Sequence, residues 1–171
     1  MPVLVLGLVL AACSSSANSG SGSGSGSSST SSSPAITAAT MTWSPAGTFG
    51  TEPTVTVPSG TPPTQLLTKD LIVGTGATAQ SGQKVTVQYI GYSWTTKQKF
   101  DASWDRHQTL PFPLGAGQVI PGWDQGVVGM KVGGRRELVI PPSLAYGSQS
   151  PTPAIAANDT LIFVVDMVSV G

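Results

Sequence analysis

Charge is confined to one part of this chain. No Asp, Glu, Lys or Arg occurs before Glu52, so all eight acidic and all eight basic side chains fall from that residue onward. Ser14 to Ser33 is almost entirely serine and glycine. Such a stretch cannot bury enough apolar surface to offset its chain entropy, so it reads as a flexible coil. Twenty residues of this kind have an r.m.s. reach of ~25 Å, the dimension of a tether. Pro34 to about Gly50, rich in Thr, Ala and Pro and still uncharged, reads as only partly ordered. A packed core is therefore expected within residues 51–171, which match the common size of a single domain. Net charge is zero, which argues against nucleic acid or an anionic membrane surface as an electrostatic partner. Lys131, Arg135 and Arg136 flank a glycine pair and read as a solvated strand end.

The chain has one cysteine, Cys13, so an internal disulfide is excluded. Val3 to Ala12 is an apolar run that ends in small residues directly before it. The run is too short to span a bilayer, which takes ~20 apolar residues, but it suits the apolar region of an export signal. Leu10-Ala11-Ala12-Cys13 resembles a bacterial lipobox. The resemblance implies a signal peptide over 1–12, a lipidated Cys13, and a tether over 13–50. The protein would then be extracytoplasmic and lipid-anchored, at a cell surface or in a periplasm. Met1 and Pro2 carry no Lys or Arg ahead of the apolar run, a departure from the usual signal.

Beyond residue 51, Pro53 to Pro58 has a short β signature between prolines, an edge strand if a strand at all. Leu66 to Val73 is a second candidate. Val85, Val87 and Tyr89 alternate with Thr86, Gln88 and Ile90, as in a half-buried strand. Arg136 to Ile140 is another, stopped by Pro141-Pro142, and Leu161 to Val168 is the last. Gly122 to Met130 reads as the helix, with Trp123, Val127 and Met130 at i, i+4 and i+7. Gly126 and Gly129 make it poor by propensity, so packing of the Trp123 face onto a sheet must hold it. Mostly antiparallel strands with one short packed helix make an α+β fold.

His107 is the only histidine, and no second thiol accompanies Cys13. A Cys–His pair is excluded because the one thiol lies in the apolar N-terminal region, a zinc site lacks ligands, and a Ser-His-Asp triad would need His107, which sits in a polar loop between Arg106 and Gln108. Gly74-Thr75-Gly76 and Gly115-Ala116-Gly117 lack the third glycine and the Lys-Ser/Thr of phosphate loops, and read as turns. No cofactor or metal is expected.

Three blocks, in order, remain: FDASWDR (Phe100 to Arg106), GAGQVIPGWDQGVVGMKVGGRRELVIPPSLAYG (Gly115 to Gly147) and TLIFVVDM (Thr160 to Met167). Together they resemble the FKBP family of peptidyl-prolyl cis–trans isomerases, which bind immunosuppressant macrolides. The resemblance runs from about Glu52 to Val170. It implies a curved antiparallel sheet half wrapped around one short helix, with an apolar pocket between them. On this chain the pocket falls on Tyr89, Phe100, Asp101, Arg106, Leu110, Val119, Ile120, Trp123, Tyr146, Ile155 and Phe163. Trp123 is implied as the floor, with Tyr89, Phe100 and Phe163 as walls. The Ile120 amide and the Tyr146 hydroxyl are implied as donors to substrate carbonyls. Asp101 is implied at the rim, satisfied by Arg106 and the Tyr89 hydroxyl. On composition alone, the same aromatics would pass for ordinary core.

The chain departs from the family pattern around the mouth. Leu110 replaces an aromatic usual there, Ile155-Ala156-Ala157 stands for Ile-Pro-Pro, and Pro151 sits where some members carry histidine. Substrate preference and macrolide affinity depend on those positions. The expected activity is isomerisation of Xaa-Pro bonds in exported proteins by a monomer. The alternatives are a module or holding chaperone that binds proline segments with little turnover, and a surface domain that kept only the fold.

Overall fold

The computed structural model describes residues 34–171. Residues 1–12, where a signal peptide is expected, Cys13 and the Ser14–Ser33 tract lie outside the described residues. Six strands form one antiparallel sheet: β1 (Leu67–Ile72), β2 (Lys84–Ser93), β3 (Lys99–Ala102), β4 (Leu110–Pro113), β5 (Arg135–Ile140) and β6 (Leu161–Val170). Their order is β1-β5-β6-β2-β3, and β4 also pairs with β2. One helix, α1 (Pro121–Gly126), packs on the inner face, and a 3-10 turn covers Pro142–Leu144. The α+β expectation of a curved antiparallel sheet around one short helix is met.

The helix is shorter than the Gly122 to Met130 expected: it stops at Gly126, with Val127 as its cap, and the chain goes on into a turn where Gly129 takes φ +82°. Trp123, Val127 and Met130 are nonetheless all buried. Its glycines have a steric reason. A Cβ on Gly122 would lie 2.3 Å from Ile140, and one on Gly126 would lie 2.8 Å from Leu138. Close approach of helix to sheet thus takes precedence over propensity. Arg136 then donates to the carbonyls of Gly126, the last helical residue, and of Val128 beyond it, at 2.8 and 3.0 Å, which gives one of the helix's orphan C-terminal carbonyls a partner.

β3 and β4 lie below the reach of pattern reading. Each has four residues, and β4 holds Pro111 and Pro113, which an edge strand tolerates because no ladder donor is needed on its outer side. Pro53 to Pro58 forms no strand. It belongs instead to an extended segment that covers the outer face of the sheet. Met41 is buried there with Trp94, Val139 and Ile162, and Ile36, Trp43, Val55 and Val57 pack around them. The stretch from Pro34 to Gly50 is therefore part of the packed domain, not a loose continuation of the tether.

The same cover corrects the reading of Arg135 as part of a solvated strand end. Arg135 has no exposed surface. It donates to Asp166 at 2.5 and 2.8 Å, and to the Ala46 and Thr51 carbonyls at 3.0 and 2.6 Å. Of that trio only Lys131 is exposed; Arg136 is half-buried against Asp70.

Candidate active site

Val85, Val87 and Tyr89 turn toward the inner face of β2 and are buried in the main core. The next inward position is Gly91, where a Cβ would lie 2.6 Å from Phe100 and 2.8 Å from Phe163. Glycine makes room for those two rings, which stand edge to face with centroids 5.4 Å apart. Trp123 meets Tyr89 and Phe163 edge-on, each at 5.2 Å, and Phe112 at 5.7 Å. Such ring pairs add about 0.5–1.5 kcal/mol each beyond area burial. Tyr89, Val119, Ile120, Trp123, Ile155 and Phe163 share one core cluster, and Phe100, Leu110 and Tyr146 pack against it. The structure therefore gathers all nine apolar positions that the sequence suggested.

One edge of this box is polar. The Tyr89 hydroxyl donates to one Asp101 oxygen, and Arg106 donates to the other. A second Arg106 nitrogen donates to the Tyr89 hydroxyl oxygen at 2.7 Å. The guanidinium carbon lies 5.6 Å from the Tyr89 ring centroid, within cation–π range. Burial, then the bond to Asp101 and its charge, push the Tyr89 phenol well above its ordinary pKa, against a smaller pull from Arg106. Burial, with the Asp101 charge second, pushes the Tyr146 phenol up to about 12. Both phenols therefore hold their protons at neutral pH.

The other edge is an open cleft of about 670 Å³. Val119, Ile120 and Tyr146 line it, with Gln118, Gln125 and Gln149 around them. Ile120 is the residue at the N-terminal boundary of α1, so its amide precedes the first helical turn. The Trp123 ring does not line this cleft. It has no exposed surface and supports the site from beneath, with its indole nitrogen buried and without a hydrogen-bond partner. Among the described residues, no three His, Cys, Asp or Glu side chains gather where they could hold a metal ion.

Three contributors escaped the reading of the sequence. Phe112 completes the ring cluster from β4, a strand of four residues too short to show a period. Asp124 holds the loop before the helix, accepting from the Gly115 amide at 2.8 Å and the Gly117 amide at 2.9 Å; an acidic residue in a first turn marks this role. Ser103, in the turn between Asp101 and Arg106, gave no signal at all.

Comparison with known proteins agrees with this geometry. Residues 76–168 match the family model described as FKBP-type peptidyl-prolyl cis-trans isomerase. An FK506-binding protein of Streptomyces anulatus is 56% identical over 120 residues, covering 70% of this chain and 97% of that protein. A probable FK506-binding protein of Corynebacterium glutamicum is 45% identical over 118 residues, covering 69% and 98%. Among solved structures, AtFKBP13 aligns with a TM-score of 0.56 at 34% identity, covering 62% of this chain and 93% of that one. FkpA from Escherichia coli aligns at 0.55 and 38% identity, and the match spans 47% of that longer chain. An aromatic box under one short helix, edged by a Tyr–Asp–Arg cluster and matched over that span, places this chain in the FKBP-type peptidyl-prolyl cis–trans isomerase family.

Proposed function

We propose that this protein accelerates rotation about Xaa-Pro bonds in exported proteins, without a covalent intermediate, while lipid on Cys13 holds it at a bacterial membrane. The observation that carries the activity is the polar edge of Tyr89, Asp101 and Arg106 beside the aromatic box. An isolated sheet core has no use for a nearly buried carboxylate at that place, because burying a charge costs energy unless it is fully bonded.

The chemistry asked of the site is modest. Rotation about an amide faces a barrier of ~18–20 kcal/mol because it breaks C–N resonance. The planar ground state is dipolar and well hydrated, whereas the twisted transition state has lost much of that dipole. An apolar site therefore disfavours the ground state more than the transition state, which is differential binding without proton transfer. A thousandfold acceleration takes ~4 kcal/mol. Desolvation and two donors, the Ile120 amide and the Tyr146 hydroxyl, can supply it. The proline enters between Ile120 and Tyr146 and rests on the ring cluster above Trp123, with Asp101, Arg106 and Leu110 at the rim. Ligands of the FK506 or rapamycin type would compete there.

The test is cis–trans exchange of a Leu-Pro peptide, followed by NMR, with the protein and with folded Asp101→Ala and Trp123→Ala variants. Acceleration that falls in both variants supports an isomerase. A peptide that binds without acceleration makes the protein a binding module and ends the enzyme assignment.

A further inference from the structure

Tyr89 lies at a gap in the sheet. β2 pairs with β3 from Ile90 to Tyr92 and with β4 from Lys84 to Val87, both along the same edge. Between those stretches, Gln88 and Tyr89 face no strand residue on that edge. Ser103 fills the gap. Its amide donates to the Tyr89 carbonyl at 2.9 Å, and its hydroxyl oxygen accepts from the Tyr89 amide at 2.7 Å. The hydroxyl has a single proton, which points at the Gln88 side-chain carbonyl, with the Tyr89 carbonyl a longer second acceptor at 3.2 Å. That bond leaves an oxygen lone pair directed at the Tyr89 amide. Ser103 has no exposed surface.

The same turn holds both ends of Tyr89. Asp101 and Arg106, the partners of its hydroxyl, stand two residues before and three residues after Ser103. The Gln108 amide donates to the Ser103 carbonyl at 3.2 Å and closes the turn on the far side. A shift of Ser103 along β2 would carry Asp101 and Arg106 away from the phenol together.

We propose that Ser103 is a positioning residue for the site, its hydroxyl standing in for a missing strand partner and so setting where Asp101 and Arg106 meet the Tyr89 hydroxyl. The proposal rests on the isomerase function put forward above. Ser103 touches no substrate, and its effect passes through Tyr89.

The test compares full-length Ser103→Ala with Val139→Ala, a cavity variant on the outer face with no path to the site. Both are expected to lose thermal stability. Only Ser103→Ala is expected to lose tenfold or more in kcat/KM for a Leu-Pro peptide, with Val139→Ala staying within twofold. In a Tyr89→Phe background the Ser103→Ala change should shrink to less than twofold, because the hydroxyl it positions is gone. A second readout needs no catalysis: the NMR resonance of the Tyr89 hydroxyl proton, slowed in exchange by Asp101, should broaden or vanish in Ser103→Ala and persist in Val139→Ala. Ser103→Cys keeps the volume and weakens the acceptor; it serves the same measurements if the alanine variant does not fold. Equal losses of activity in the two variants, or an unmoved hydroxyl resonance, would overturn the role. If the unaltered protein does not accelerate exchange, the isomerase function fails instead, and the hydroxyl resonance still decides what Ser103 does.

Discussion

Arg135 and Asp166 face each other across β5 and β6 at 2.5 Å, with both side chains fully buried on the sheet face opposite the site. The covering segment completes the pair: Arg135 reaches the Ala46 and Thr51 carbonyls, and Asp166 accepts from the Gly50 amide at 2.8 Å. Removing one partner of such a pair strands the other charge, at a cost of about 3–5 kcal/mol. Asp166→Ala should therefore lower unfolding stability in urea by that order. Joint replacement by apolar residues should not rescue it, because three backbone groups of the cover would then lose their partners as well. A fully stable Arg135→Met/Asp166→Leu protein would show that the cover needs no polar hold.

Gly122→Ala sets two effects against each other. Helix propensity favours alanine over glycine by about 1 kcal/mol. The new Cβ would sit 2.3 Å from Ile140, closer than any tolerated carbon contact, and overpacking costs about 1–3 kcal/mol. The steric term wins, so thermal unfolding should move down. Trimming the obstacle, as Gly122→Ala/Ile140→Ala, should recover part of the loss relative to Ile140→Ala alone. A rise in Tm for the single variant would mean that the helix sits less tightly on β5.

Glu137 makes stability depend on pH. Burial raises its carboxyl from 4.5 to about 6, against weaker opposing pulls from the Ser44 bonds and the Lys69 charge. One oxygen accepts from the Ser44 amide at 2.7 Å, and the other is buried without a partner. A group whose folded pKa is raised contributes stability that is complete below its unfolded pKa and is lost as pH rises through the folded one. The Glu137 contribution should fall by on the order of 2 kcal/mol between about pH 4.5 and pH 6. Urea midpoints across that window should therefore show a downward component that Glu137→Gln removes. The same slope in both proteins would exclude Glu137 as its source.

Catalysis should be indifferent to pH over the neutral range. The Tyr146 phenol titrates at about 12, and the Tyr89 phenol is also held up, so both stay protonated as donors. The exchange rate per enzyme should be flat from about pH 6 to about pH 9, as expected for rotation without acid–base chemistry. Tyr146→Phe should slow it by roughly tenfold, the ~1.4 kcal/mol of one hydrogen bond. A bell-shaped profile would point to proton transfer.

Cys13 is expected to carry lipid. Cells expressing the protein with labelled fatty acid should label the native chain, and Cys13→Ser should abolish both the label and membrane retention. Retention of the serine variant at the membrane would remove the anchor.

Much of the sheet was readable without a structure. β2 carries an apolar alternation, whereas β5 and β6 carry unbroken apolar runs that fit strands buried on both faces, and all three emerged close to where expected. The family resemblance placed Tyr89, Trp123, Phe163 and their neighbours, and all of them meet in one cluster. The helix was readable in its buried positions but not in its length, since Val127 and Met130 are buried from the cap and the following turn as well as a helix face would bury them. β3 and β4 were not readable, because four residues cannot show a period and β4 holds two prolines.

The amino-acid sequence by itself determined the fold class, the family and the set of apolar site residues, because periodic burial and local motifs are written along the chain. Only the tertiary structure decided what depends on which segments meet. Arg135 is a charge beside two glycines until residues 46–51 cover it, and Ser103 is an ordinary turn serine until β3 and β4 leave a gap beside Tyr89. Those roles belong to pairs of residues far apart in the chain, and no local pattern encodes a hydrogen bond to a distant backbone group.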